Sequence, residues 1–209
     1  TARQTEILEG LKAKAKERGL WNFWLTDSER GYGLTTVEYA YLAEEMGKAH
    51  LGAETFNCSA PDTGNMEVLE RYGTEDHKKQ WLAPLLDGKI RSAYLMTEPD
   101  VASSDATNIA MSCVRDGDDY VINGQKVFIT SGHNADLVVL ACKTDPSEKA
   151  KGVSLILVET DRPGFERGRM LEKIGCKGQD TSELFFQDLR VPVGNLLGEE
   201  GRGFAILMQ

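Results

Sequence analysis

Two short segments, residues 93–105 and 123–132, combine hydroxyl side chains with turn-forming residues beside strand-like runs. Thr97 and Thr130 stand where these runs end, and their hydroxyl groups can donate and accept hydrogen bonds. Glu98 adds a carboxylate that could serve as a general base. The same residue types also have structural explanations, because threonine is an ordinary strand former and a buried carboxylate is often an ion-pair partner.

The first part of the chain is predicted to be helical. Apolar residues recur at three- and four-residue spacing between Ile7 and Ala15, and Gly19 is placed to end that helix. Thr35 and Glu38 have the spacing of a capping box, in which each side chain satisfies a backbone N–H group at a helix start.

From about residue 90 the pattern changes to strands. Asn123-Gly124 lies between two apolar runs and is predicted to form a two-residue hairpin turn. Further strands are predicted at residues 137–142, 153–159, 169–174 and 182–191. Several short strands separated by polar or glycine turns favour an antiparallel barrel or sandwich.

These patterns together predict an α+β chain in three parts. We expect an N-terminal all-α domain at residues 1–88, an antiparallel β-barrel-like domain at residues 89–199, and the start of a further helix at residues 200–209. Because the chain stops inside a helical pattern, we expect it to be a fragment of a longer polypeptide, with a C-terminal helical domain otherwise absent.

Composition narrows the classes of function. The net charge of −9 argues against a nucleic-acid partner, since such proteins usually carry a basic face. The sequence has no apolar run of the eighteen or so residues that a membrane span needs. The four cysteines are far apart and form no C-x-x-C pair, which favours free thiols in a reducing compartment. The three histidines and four cysteines form no spaced cluster of the kind that binds zinc.

Several stretches, in this order along nearly the whole chain, resemble the acyl-CoA dehydrogenases. The similar stretches are residues 72–88, 96–99, 123–132, 183–192 and 195–198. Residues 97–105 look most like the subgroup that in animals can carry an appended kinase-like domain. From Cys176 onward the sequence looks more like the long-chain enzymes. Because the two parts point to different subgroups, the acyl chain length is left open.

The resemblance implies that the chain binds FAD at the two hydroxyl-bearing segments. In the first segment, Tyr94 and Met96 would offer backbone groups, and Thr97 its hydroxyl, to the pyrimidine edge of the isoalloxazine ring. Ser103 and Ser104 would lie near the pyrophosphate, and Ser103 also near the CoA-side ligand.

In the second segment, Phe128 would pack on the flavin ring, Ile129 would donate from its backbone, and Thr130 would place its hydroxyl near flavin N5. Two departures from the common family pattern stand out. Phe128 occupies a position where tryptophan is usual, and residues 100–102, Asp-Val-Ala, replace a usual Gly-Ala-Gly run. Neither departure removes a hydrogen-bond donor that the flavin needs.

The activity implied by the resemblance is α,β-dehydrogenation of an acyl-CoA thioester. In the family the catalytic carboxylate belongs to a helical domain after the β domain, so we assign no catalytic residue in this chain and expect these 209 residues alone to be nearly inactive. The resemblance also implies an electron-transferring flavoprotein as electron acceptor and a homo-oligomer, dimeric or tetrameric, for the full polypeptide. The expected location is cytoplasmic in a bacterium, and the mitochondrial matrix or peroxisome in a eukaryote.

Two other functions are compatible with the same residues. One is a different flavoenzyme on this scaffold, an acyl-CoA oxidase or a flavin monooxygenase, which rapid reoxidation by molecular oxygen would reveal. The other is a truncated, non-catalytic binding module, which would be colourless and would expose an apolar patch.

Overall fold

The computed structural model describes residues 2–26, 29–102 and 105–208. The chain divides into two compact units, residues 1–67 and 68–209. No helix within the described ranges combines the length and the apolar character that crossing a membrane requires.

The first unit is helical, as predicted. It contains α1 (Ala2–Glu17), α2 (Thr36–Gly47), α3 (Gly52–Thr55) and the start of α4 (Asp62–Tyr72). The capping box is confirmed, because the Glu38 N–H donates to the Thr35 hydroxyl and the Thr35 N–H donates to the Glu38 carboxylate. Gly19, with a φ of 68°, follows the end of α1 as predicted.

The second unit begins with a further helical stretch. The rest of α4 is followed by α5 (Glu75–His77), a π-helical turn (Lys78–Leu82) and α6 (Ala83–Leu86). The Thr74 hydroxyl caps α5 by accepting a hydrogen bond from the His77 N–H.

The remainder of the second unit is built on one eight-stranded sheet with strand order β6-β7-β3-β2-β4-β5-β8, in which β1 pairs with β4. The strands are β1 (Ser92–Leu95), β2 (Ser112–Asp116), β3 (Asp119–Thr130), β4 (Leu137–Lys143), β5 (Val153–Glu159), β6 (Phe165–Met170), β7 (Thr181–Pro192) and β8 (Leu196–Leu197). The chain ends with α7 (Gly203–Leu207), the predicted start of a further helix.

The predicted order of an all-α part followed by a β part is confirmed, although the sheet is mixed rather than purely antiparallel. Strands β1 and β2 both run parallel to β4, and the other pairings are antiparallel. Within the described residues the outermost strands of the order, β6 and β8, do not pair with each other, so the sheet is not closed into a barrel. Strands β4 and β5 are almost wholly buried and form the centre of the core.

The predicted hairpin turn at Asn123-Gly124 is wrong. Both residues lie inside the continuous strand β3, and the β2–β3 turn is instead at Gly117-Asp118. Opposite Asn123, strand β7 carries one extra residue, Asp188, and the Asn123 side chain bonds both the N–H and the carboxylate of Asp188. The Asn-Gly pair therefore lies opposite a β-bulge and not in a turn. The Asn123 side chain bonds to a residue on another strand, which the local sequence does not reveal.

One predicted strand is displaced. Residues 169–174 were expected to be extended, whereas the strand is β6 (Phe165–Met170) and residues 171–174 are outside any strand. The prediction at residues 153–159 is confirmed with its bounds, and the strands predicted at 137–142 and 182–191 extend by one residue beyond one or both ends.

Candidate functional site

The first segment lies at the end of β1. Tyr94 is within the strand, and Met96 and Thr97 follow its last residue, Leu95. The Tyr94 hydroxyl is buried with no hydrogen-bond partner among the described residues, and burial raises the pKa of this phenol. The Met96 carbonyl accepts a hydrogen bond from the Lys126 ammonium at 3.0 Å. This strand end is therefore held by a neighbouring side chain as well as by its own ladder.

The second segment contains a β-bulge on β3. Lys126 pairs with Leu184, and Ile129 pairs with Ser182. Between these two pairs β3 has two residues and β7 has one, so β3 contains one extra residue. Phe128 lies within this bulge, with a φ of 59° and an exposed fraction of 66%. A non-glycine residue at positive φ is uncommon, and strain of this kind concentrates at functional sites.

The residues after the bulge return to the sheet. Ile129 is buried in the core, and Thr130 is half-buried opposite Thr181. Phe128 is thus the residue of this segment whose side chain leaves the core, and an exposed aromatic ring can bind a flat, mostly apolar ligand.

The structure brings the two segments together. The Val127 N–H donates to the Thr97 carbonyl at 3.0 Å, immediately before Phe128 in the chain. Of the eight predicted cofactor residues, Tyr94, Met96, Thr97, Phe128, Ile129 and Thr130 belong to these two adjoining segments. The other two, Ser103 and Ser104, lie outside the described residues.

Glu98 is engaged in a buried ion pair. Its carboxylate accepts from the Lys126 ammonium at 2.8 Å and from the N–H groups of Ala110 and Met111 at 2.8 and 3.1 Å. Of the two interpretations considered for this carboxylate, the paired one describes the structure, since a base must have free access to its substrate.

Lys126 is the residue that sequence reasoning missed. Its side chain is 0% exposed. A signal was present, because Lys126 is in phase with the buried Tyr120 and Ile122 on the same strand, which places it on the core face. Burial lowers the pKa of the Lys126 ammonium, and the nearby Glu98 carboxylate opposes that shift.

A separate cavity of about 640 Å³ lies beyond the end of β3 and was not predicted from the sequence. Its lining includes His133, Lys177, Asp180 and Thr181. The Asp180 carboxylate accepts hydrogen bonds from the His133 N–H at 2.7 Å and from the Asn134 side-chain amide at 2.8 Å. None of the predicted cofactor residues lines this cavity, although Thr181 is the strand partner of Thr130.

Comparison with known proteins gives consistent results along most of the chain. Residues 1–89 match the family model of the acyl-CoA dehydrogenase N-terminal domain, and residues 93–189 match that of the acyl-CoA dehydrogenase middle domain. A curated relative, the probable acyl-CoA dehydrogenase FadE2 of Mycobacterium tuberculosis, is 50% identical over 206 residues, which cover 96% of this chain and 50% of that protein.

Solved structures share the fold. A putative acyl-CoA dehydrogenase from Mycobacterium abscessus superposes with a TM-score of 0.92 at 45% identity, covering 96% of this chain and 51% of that one. The FAD complex of PigA superposes with a TM-score of 0.76 at 28% identity, covering 98% of this chain and 55% of that one. The chain therefore spans about half the length of these proteins. With matching domains in the same order, similar sequence and the same fold, this chain belongs to the acyl-CoA dehydrogenase family.

Proposed function

We propose that these residues hold the isoalloxazine end of FAD in an enzyme that converts an acyl-CoA thioester to the 2-enoyl-CoA. The observation that carries the proposal is the hydrogen bond from the Val127 N–H to the Thr97 carbonyl, which joins the two predicted cofactor segments beside the exposed Phe128. A solved relative of the same fold, PigA, is an FAD complex, which supports the choice of cofactor.

The residues present fit the chemistry of a flavin. The ring is flat and apolar on its faces and polar along its pyrimidine edge and at N5, so it needs an aromatic or aliphatic wall and a few hydrogen-bonding groups. Phe128 is an aromatic residue that is 66% exposed, and Thr97 and Thr130 are half-buried residues with hydroxyl side chains. When bound, FAD would accept the hydride that leaves the β carbon of the substrate.

Within this proposal the chain's own residues bind and orient the cofactor. The backbone groups of Tyr94 and Met96 and the Thr97 hydroxyl are assigned to the pyrimidine edge, although the Met96 carbonyl already accepts from Lys126. The Ile129 N–H and the Thr130 hydroxyl are assigned to the side of the ring that contains N5. Ser103 and Ser104 are assigned to the pyrophosphate, and Ser103 also to the CoA-side ligand.

Removal of the α proton requires a carboxylate that can reach the substrate. Glu98 does not meet this requirement, because it is buried and bound by Lys126, Ala110 and Met111. Because the family resemblance puts the catalytic carboxylate in a helical domain after the β domain, we also assign no catalytic base among the 209 residues and expect them to have little dehydrogenase activity alone. The whole enzyme is proposed to act as a homo-oligomer and to pass electrons to an electron-transferring flavoprotein.

The test is an anaerobic absorbance titration of the full natural polypeptide that contains these residues, using acyl-CoA thioesters of graded length. We expect a bound flavin whose visible band bleaches on substrate addition, and the thioester giving most bleaching at lowest concentration identifies the preferred chain. Thr97→Val and Thr130→Val remove single hydroxyls at nearly constant volume, and each is expected to weaken FAD binding about fivefold to tenfold.

Three results would overturn the proposal. A polypeptide that binds no flavin would exclude flavin chemistry altogether. A flavin that acyl-CoA does not bleach would exclude this substrate class. Rapid reoxidation of the reduced flavin by molecular oxygen would indicate an oxidase or monooxygenase on the same scaffold.

A further inference from the structure

The Lys126 side chain has no role in the function proposed so far, yet it lies wholly inside the protein. Taking an ammonium group out of water is costly, and a buried ion pair is weak evidence for stability because well-packed apolar residues often do as well. The position of this lysine therefore needs an explanation other than core packing.

All three donors of the ammonium group are used. Lys126 Nζ donates to the Met96 carbonyl at 3.0 Å, to Glu98 Oε1 at 2.8 Å and to the Ala141 carbonyl at 2.7 Å. A lysine has three N–H donors and no acceptor, so this group is fully satisfied and its direction is fixed.

These contacts lie where β1 separates from β4. The parallel ladder between the two strands ends at the pair Leu95 and Leu140. The next carbonyls along each strand, those of Met96 and Ala141, are the ones that Lys126 Nζ joins. The lysine thus continues the connection between the strands for one step beyond the last ladder pair.

The partner carboxylate fixes the other end of the same segment. Glu98 accepts from the N–H groups of Ala110 and Met111, which closes the base of the loop that leaves the strand end after Glu98. Thr97 therefore lies between two residues that Lys126 holds directly, and its own carbonyl accepts from Val127, the residue after the lysine.

We propose that Lys126 is a positioning residue for the flavin. By binding Met96, Glu98 and Ala141 together, it fixes Thr97 at the place where the pyrimidine side of the ring is to be held. This inference rests on the proposed FAD function. It assigns to Lys126 no contact with substrate and no proton transfer.

The matched control is Lys143. It lies on β4 and also donates to three carbonyls, those of Thr107, Glu148 and Lys149. None of these carbonyls belongs to residues 96–98 at the end of β1. Lys126→Met and Lys143→Met therefore each remove one ammonium with three hydrogen bonds, and only the first releases the strand end.

The decisive variant is the double substitution Lys126→Met with Glu98→Leu. It removes both buried charges, so part of the stability lost in Lys126→Met is expected to return, while the Ala110 and Met111 N–H groups lose their acceptor. In this variant no ammonium group connects the Met96 and Ala141 carbonyls. In the full FAD-containing polypeptide, we expect the double variant to bind FAD about tenfold more weakly than wild type and Lys143→Met to bind it within about twofold.

A second readout does not need the cofactor. In flavin-free protein, hydrogen exchange at the Val127 amide is expected to be about tenfold faster in the double variant than in Lys143→Met, because its acceptor Thr97 is no longer held. Wild-type affinity and wild-type Val127 protection in a folded double variant would overturn the inference. Wild-type protein that binds no FAD would refute the proposed function instead, while Val127 exchange would still report whether Lys126 fixes the strand end.

Discussion

The two segments that adjoin at the candidate site are held in different ways. At the end of β1, hydrogen bonds from Lys126 and Val127 fix the Met96 and Thr97 carbonyls. At the bulge of β3, the backbone itself adopts an uncommon conformation and turns Phe128 out of the core. One half of the site is thus a strand end that the buried Lys126 ammonium holds in place. The other half is an aromatic side chain that a β-bulge turns outward. The contrast indicates that changes on the β1 side will alter stability strongly, whereas changes at the bulge will alter binding more than stability.

The largest effect is expected for Lys126→Met. It leaves the Glu98 carboxylate buried without its cation, and breaking a buried ion pair in this way costs about 3–5 kcal/mol of unfolding free energy. Urea denaturation of Lys126→Met, compared with the Lys126→Met, Glu98→Leu double variant, measures it. Equal stability of wild type and Lys126→Met would show that the ion pair with Glu98 does not hold the end of β1 in place.

A smaller effect is expected for Gly132→Ala, just after the β3 segment. A Cβ atom there would stand 2.3 Å from the Ser182 hydroxyl oxygen, which is fully buried and cannot move freely. We expect a loss of about 1–3 kcal/mol of unfolding free energy, as for other overpacked positions.

The matched control for Gly132→Ala is Ser182→Ala. Its hydroxyl is buried and has no hydrogen-bond partner among the described residues, so removing it is expected to be neutral or stabilising by up to about 1 kcal/mol. The double variant should recover part of the loss caused by Gly132→Ala. Simple additivity of the two single effects in denaturant unfolding would contradict the contact.

At the bulge itself, Phe128→Gly and Phe128→Ala separate backbone strain from ring contact. Alanine keeps the cost of a Cβ at positive φ, while glycine removes it and loses some entropy on folding. We expect the glycine variant to be more stable than the alanine variant by about 0.5–1 kcal/mol, with FAD affinity reduced in both. A glycine variant less stable than the alanine variant would show that the bulge is not strained.

The smallest effect concerns Asp105, in the loop after the β1 edge. Hydrogen bonds from the Thr107 hydroxyl and amide lower the pKa of this carboxyl from its ordinary value of 3.8. A lowered folded-state pKa means that the stabilisation is present above the ordinary value and is lost as the pH falls below it through the folded-state pKa. Amide exchange at Thr107 should therefore lose protection relative to Asp105→Asn on acidification, and parallel pH profiles of the two proteins would contradict this.

Local signals predicted much of the fold. The Thr35 and Glu38 capping box and the strand at Val153–Glu159 formed as expected, because their stabilising partners are either nearby in the chain or simply a buried apolar environment. The parallel alignment of β1 and β2 with β4 was not predicted, since strand partners are chosen by long-range packing that no local pattern encodes.

The same limit explains the errors at the site. Asn123-Gly124 has the composition of a tight turn, but the Asp188 backbone on β7 provided a partner that favoured a bulge. The alternation of β3 indicated that Lys126 faces the core, yet its acceptors, including the Ala141 carbonyl, come from segments distant in sequence. Thr97 and Phe128 stay predicted cofactor residues whose segments adjoin through the Val127 N–H group, whereas the acceptors that Lys126 binds could not be predicted from the sequence.

The most direct test of the central claim is a crystal structure of the full polypeptide with FAD bound. We expect the isoalloxazine ring to lie against Phe128, with its pyrimidine edge within hydrogen-bonding distance of Thr97 and its N5 near the Thr130 hydroxyl. A flavin bound elsewhere, with Thr97 and Thr130 facing different hollows, would contradict it.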